Sequence, residues 1–197
     1  MFKTSRFLVI LSIFFLCSFV SNKEVMVIGD SITANGTFVD YLKVETGMNF
    51  KSYGFTGEGT SHILKRLKNI NVTKYNYIII EAGINNIDNA SQVMSDMKEM
   101  FQYAKSENPD IKVIVLTIVP FKGYPTWTPK KQENLLKVNS WLLTKPENVD
   151  IVVDIYDVMS VNGFQPHSTD GLHPSRKGHR LMADLIKPHL QDGIRSY

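Results

Sequence analysis

The stretch VMVIGDSIT, residues 25–33, reads as a buried strand that breaks at Gly29-Asp30 and runs straight into a helix start. Four consecutive apolar residues, 25–28, suit a strand covered on both faces. The same kind of run recurs at residues 77–80 (YIII) and 111–118 (IKVIVLTI), and in shorter form at 151–153. Residues 50–53 are more polar and alternating, which places that strand at a sheet edge.

Helical patterns separate these strands. Phe38, Tyr41 and Leu42 share one face, with Gly47 as the expected C-cap. Ile63, Leu64, Leu67 and Ile70 form a second face. Val93, Met97, Met100, Phe101 and Ala104 form a third, and Leu135, Val138 and Leu142 a fourth. Leu181, Met182, Leu185 and Ile186 mark the last helix. The order β-α-β-α-β-α-β-α-β-α predicts an α/β fold: a three-layer α/β/α sandwich around a five-stranded parallel sheet, most simply ordered 2-1-3-4-5. Ligands of such sheets bind beyond the carboxyl ends of the strands, near the point where the strand order reverses.

Those loops hold the residues with chemistry. Ser31 follows the first strand, where it is either a nucleophile or an N-cap. The second loop, residues 53–61, carries Gly54, Gly57 and Gly59, which permit close approach of backbone to a ligand. Asn85 follows the third strand, as an amide donor or an Asx-turn. Asp170 lies three residues before His173, a spacing that lets the carboxylate hold the imidazole; His167 is the competing partner. A serine, a glycine-rich loop, an amide and an Asp-x-x-His unit thus converge on one rim, as nucleophile, base and oxyanion donors require.

Composition fixes the setting. The chain has 197 residues, one cysteine and a formal charge of +3, which excludes a disulfide framework and gives no case for nucleic acid. Lys3 and Arg6 precede an uncharged apolar run at residues 7–20, so residues 1–21 are expected to be a signal peptide or signal anchor and 22–197 the folded domain. A membrane tether is expected only through that segment, and a secreted or periplasmic location follows. Cys17 raises the question of lipidation, but Leu16 before it fits poorly.

Together the segments resemble the SGNH hydrolases, also called the GDSL esterase/lipase family. Gly29–Thr33 (GDSIT) is similar to the first block and Gly57, within GFTG, to the oxyanion glycine, with Gly59 as an alternative. Gly83-Ile84-Asn85 is similar to the third block, with Asn86 where the family usually has Asp, and Asp170-Gly171-Leu172-His173-Pro174 to the fifth. The resemblance implies a Ser31-His173-Asp170 triad, an oxyanion hole from Ser31, Gly57 and Asn85, a flavodoxin-like fold, and neither cofactor nor metal. It implies hydrolysis of a small-molecule, glycan or lipid ester, by an esterase/lipase or lysophospholipase-like enzyme, or by a carbohydrate O-acetylesterase or O-acetyltransferase. Ile32, Phe121, Tyr124, Trp127 and Leu172 are expected around the acyl group, although Trp127 could equally pack against the helix beginning near Pro129. A flavin-binding module is the remote alternative, because residues 31–37 loosely resemble a flavodoxin phosphate loop.

Overall fold

A computed structural model describes residues 23–161, 163 and 165–190. The leader expected at residues 1–21, with Cys17, lies outside the described residues. Five parallel strands, β1 (Glu24–Gly29), β2 (Asn49–Gly54), β3 (Tyr77–Glu81), β4 (Lys112–Leu116) and β5 (Ile151–Val153), lie in the expected order β2-β1-β3-β4-β5.

Alternation along each inner strand divides the apolar residues between two cores. Met26, Ile28, Ile78, Ile80, Val113 and Val115 face one layer, packed with Leu67, Phe101 and Leu142. Val25, Val27, Ile79, Ile114 and Leu116 face the other, packed with Phe38, Leu42, Met182 and Ile186. The residues of β1 from Val25 to Ile28 are fully buried, which is why the strand reads as one unbroken apolar run. Each such side chain contributes about 1.5–3 kcal/mol by leaving water.

The helices are α1 (Ser31–Ala34), α2 (Thr37–Thr46), α3 (Thr60–Leu67), α4 (Ala90–Glu107), α5 (Pro129–Leu143), α6 (Ile155–Ser160) and α7 (Arg176–Ile186). Gly47 ends α2 with φ 66°, and its N–H donates to the Lys43 carbonyl. Thr128 caps α5 by accepting from the Lys131 N–H, with Pro129 in the first turn.

Some boundaries differ from the sequence reading. Ile70 lies beyond the end of α3 but still packs on the same core. The Thr117–Ile118 end of the 111–118 run lies beyond β4, although Thr117 N–H still donates to the Val153 carbonyl of β5. Ser175 caps α7, its hydroxyl accepting from Gly178 N–H. The one-turn α1 and the six-residue α6 are too short to show a periodic pattern.

Candidate active site

The carboxyl ends of β1 and β3 sit beside each other, with Gly29 registered to Glu81. Beyond Gly29 the chain turns at Asp30, whose carboxylate accepts from Ile32 N–H at 3.0 Å and so starts α1. Ser31 is the first residue of that turn and keeps only 6% of its surface exposed. Its hydroxyl lies 3.0 Å from His173 Nε2, 142 residues away in sequence.

The turn carrying His173 is held from several sides. Asp170 Oδ1 accepts from the backbone N–H groups of Leu172 and His173, at 2.9 and 2.8 Å. Its other oxygen, Oδ2, lies 2.8 Å from His173 Nδ1. Desolvation works to raise the Asp170 pKa, but the His173 side chain and the two amides outweigh it and hold the group below its ordinary value. Gly171 has φ +92°, and a Cβ there would fall within 3 Å of the 122–124 backbone. That contact, with the Lys122 N–H donating to the Gly171 carbonyl, joins the two loops. Tyr124 then meets the His173 ring edge-on, with centroids 6.0 Å apart. His167 Nδ1 has no hydrogen-bond partner among the described residues, and the His167 carbonyl accepts from Ser175 N–H.

A cleft of about 350 Å³ opens over Ser31 and His173. Gly57 and Asn85 line it, and Gly57 takes φ +78°. Gly59 does not line it: a Cβ there would meet the Asn86 side chain at 3.1 Å. One N–H of the Asn85 amide donates to the Glu58 carbonyl at 3.1 Å, which fixes the plane of the amide and leaves its second N–H free of that bond. Asn86 ties the two loops together, accepting from Thr60 N–H and donating to Thr60 Oγ1.

The expected substrate residues divide. Phe121, Tyr124 and Leu172 line the cleft with Ile84, while Thr56, Thr126 and Lys131 add polar surface. Ile32 does not line it. One helical step beyond Ser31, its side chain turns away and is 1% exposed in the core on the other sheet face. Trp127 does not line it either; it packs against the core just ahead of α5.

Behind Ser31 lies a feature that sequence reading missed. Asp30 is fully buried near Glu81, itself 6% exposed, and Asp30 Oδ2 has no hydrogen-bond partner among the described residues. Thr33 Oγ1 donates to Glu81 Oε2 at 2.9 Å. Arg66 donates to the carbonyls of Gly29 and Tyr53 and pairs with Glu58. Burial pushes the Asp30 carboxyl up to about 6 and Glu81 well above its ordinary range. Two carboxyl groups in one dry site cannot both ionise cheaply, so they hold a proton near neutrality.

A stability prediction follows from the sign of those shifts. An acid whose folded pKa is raised gives its full stability below the unfolded value and loses it as pH climbs through the folded one. The loss here begins near 3.8 and continues through about 6. Glu81→Gln keeps the shape and can donate to Asp30, so its advantage over the native protein should be small at pH 5. At pH 8 it should be more stable by about 1–2 kcal/mol, a Tm rise of roughly 3–8 °C. Thermal melts at the two pH values check this; equal differences at both would show that no proton is shared.

Comparison with known proteins places the family and the fold. Residues 27–181 match the family model described as the GDSL-like lipase/acylhydrolase family. Platelet-activating factor acetylhydrolase IB subunit alpha2 of Rattus norvegicus is 29% identical over 174 residues, covering 84% of this chain and 73% of that protein. The lipase/acylhydrolase from Enterococcus faecalis superposes with a TM-score of 0.73 at 24% identity, covering 89% of this chain and 98% of that one. A carbohydrate esterase family 3 structure from Talaromyces cellulolyticus gives 0.65 at 20% identity, covering 86% and 97%.

Proposed function

The chain belongs to the GDSL-like lipase/acylhydrolase family, and on that premise we propose that it hydrolyses carboxylic esters through an acyl-enzyme on Ser31. The observation that carries this reading is the unbroken contact from Ser31 Oγ to His173 Nε2 and from His173 Nδ1 to Asp170, at 3.0 and 2.8 Å.

In this mechanism His173 donates its Nδ1–H to Asp170, which leaves Nε2 as the base. It takes the Ser31 proton as Oγ attacks the ester carbonyl. The N–H groups of Ser31 and Gly57 and the free N–H of Asn85 receive the oxyanion. The C–O bond to the alcohol breaks, and His173 returns the proton to the departing oxygen. Water then attacks the acyl-serine, gives its proton to His173, and the acid is released as Ser31 is restored. Asn85→Ala removes one of three donors, so kcat should fall by about 10²–10³ with little change in KM. Steady-state kinetics checks it, and unchanged turnover would take Asn85 out of the mechanism.

A short acyl group is the best fit. The cleft, at about 350 Å³, lies at the small end of ligand sites, and the buried Phe121 and Leu172 give part of its wall an apolar surface. The rat relative is named an acetylhydrolase, which supports the same choice. A polar alcohol, as in an O-acetylated sugar, is compatible with Thr56 and Thr126 in the wall. With residues 1–21 as an export leader, the reaction would run outside the cytoplasm. Turnover of p-nitrophenyl esters from acetate to palmitate tests this, with fluorophosphonate labelling of the serine. Rates should be highest for acetate to butyrate. A rise toward palmitate would overturn the short-acyl reading, and neither turnover nor labelling would overturn the hydrolase.

A further inference from the structure

Lys131 sits in the first turn of α5 and in the wall of the cleft that holds Ser31 and His173. Its placement has a cost. The N-terminal turn of a helix already carries partial positive charge, so a cation is disfavoured there. This turn has no acidic residue and holds Lys130 as well. Lys130 escapes into solvent, with its side chain 67% exposed, and pairs with Glu133. Lys131 does not escape: only 19% of its side chain is exposed.

Its ion pair does not account for this enclosure. Asp88 Oδ2 lies 3.4 Å from the Lys131 ammonium, but the Asp88 side chain is 69% exposed, and no hydrogen bond to Lys131 Nζ is formed among the described residues. Such solvent-screened pairs contribute little. Near this rim Glu58 is engaged by Arg66 and Asp170 by His173, and Lys122 is exposed outside the cleft wall. Lys131 is therefore the cation left facing the cleft with donors to spare, among the described residues.

Resting on the hydrolase reading above, we propose that Lys131 selects esters carrying a negative charge, a carboxylate or phosphate on the alcohol or acyl part, by pairing with that anion beside the reacting carbonyl. Apolar wall residues take up the uncharged portion, and the enclosed ammonium gives the anion a charge-assisted hydrogen bond. Asp88 competes for the same ammonium and moderates the preference.

The test compares ester pairs that differ in charge. Phenyl acetate against 4-acetoxybenzoate probes the alcohol side. The p-nitrophenyl ester of butyric acid against that of hemisuccinic acid probes the acyl side. The native protein should show higher kcat/KM for the charged member of at least one pair, and the preference should shrink as salt screens it. Lys131→Met should lower kcat/KM for that charged ester about tenfold while the neutral one stays within about twofold. Lys131→Arg should restore much of it, and Asp88→Asn should raise it. Equal losses on charged and neutral esters, or no preference in either pair, would overturn the assignment. Binding of 4-hydroxybenzoate and phenol to the Ser31→Ala protein, followed by saturation-transfer NMR, reads the preference without turnover. A silent enzyme that still binds the anion through Lys131 would defeat the hydrolase and keep the anion site; turnover without preference would do the reverse.

Discussion

Ser31→Ala should lower kcat on p-nitrophenyl acetate by a factor on the order of 10⁶, with the fold intact. The size follows from what the hydroxyl does. In the proposed mechanism it is the atom that becomes acylated, so its loss would remove the covalent route and not one contribution to it. Residual catalysis of about 10³–10⁴ over water is expected from the oxyanion donors and binding alone. Stability should hardly move. The Ser31 hydroxyl bonds to His173 at the cleft, where water can serve the imidazole instead. The measurement is steady-state turnover together with mass spectrometry of the fluorophosphonate adduct, and a thermal melt as the control for folding. The adduct should appear on the native protein and vanish in the variant. A variant keeping a tenth of native turnover would place the nucleophile elsewhere.

Much of this was legible because the fold writes its inner strands as continuous apolar runs. Residues 25–28 and 77–80 are buried on both sheet faces, and nothing polar interrupts them. The Asp-x-x-His unit was legible because the orienting contact is local, spanning one turn. What stayed hidden depends on register and loop packing. Glu81 matters because parallel pairing brings it beside Gly29, and Arg66 because α3 aims it back at two strand ends. Neither spacing says this. Lys131 looks like one of many surface lysines until the 121–127 segment is placed against it. Ile32 misled for the opposite reason: adjacency in sequence to Ser31 suggested adjacency in space, but a helical step rotates the side chain by about 100°. Trp127 has two equal readings in the sequence, and its packing against the core ahead of α5 decides between them.

Asp170→Asn separates orientation from charge at the histidine and carries the second largest expected effect. The Asp170 carboxylate does two jobs with two oxygens. Oδ1 receives the Leu172 and His173 amides and shapes the turn, while Oδ2 faces His173 Nδ1. Asparagine can keep the first job with its carbonyl oxygen. Its NH₂ then faces Nδ1 and must donate to it, which drives the imidazole proton to Nε2. A protonated Nε2 cannot take the Ser31 proton. The turn survives and the base is lost, so kcat should fall by about 10³–10⁴ with KM and folding nearly unchanged. The lower end is the more natural expectation, because the Asp170 side chain is 40% exposed and water can partly rescue the tautomer. Because hydrogen bonds hold Asp170 below its ordinary value, its protonation should not shape the rate profile above about pH 4. A carboxylate acting as a mere turn-former would give a different result: Asp170→Asn would then retain native turnover, and the imidazole would need another orienting group.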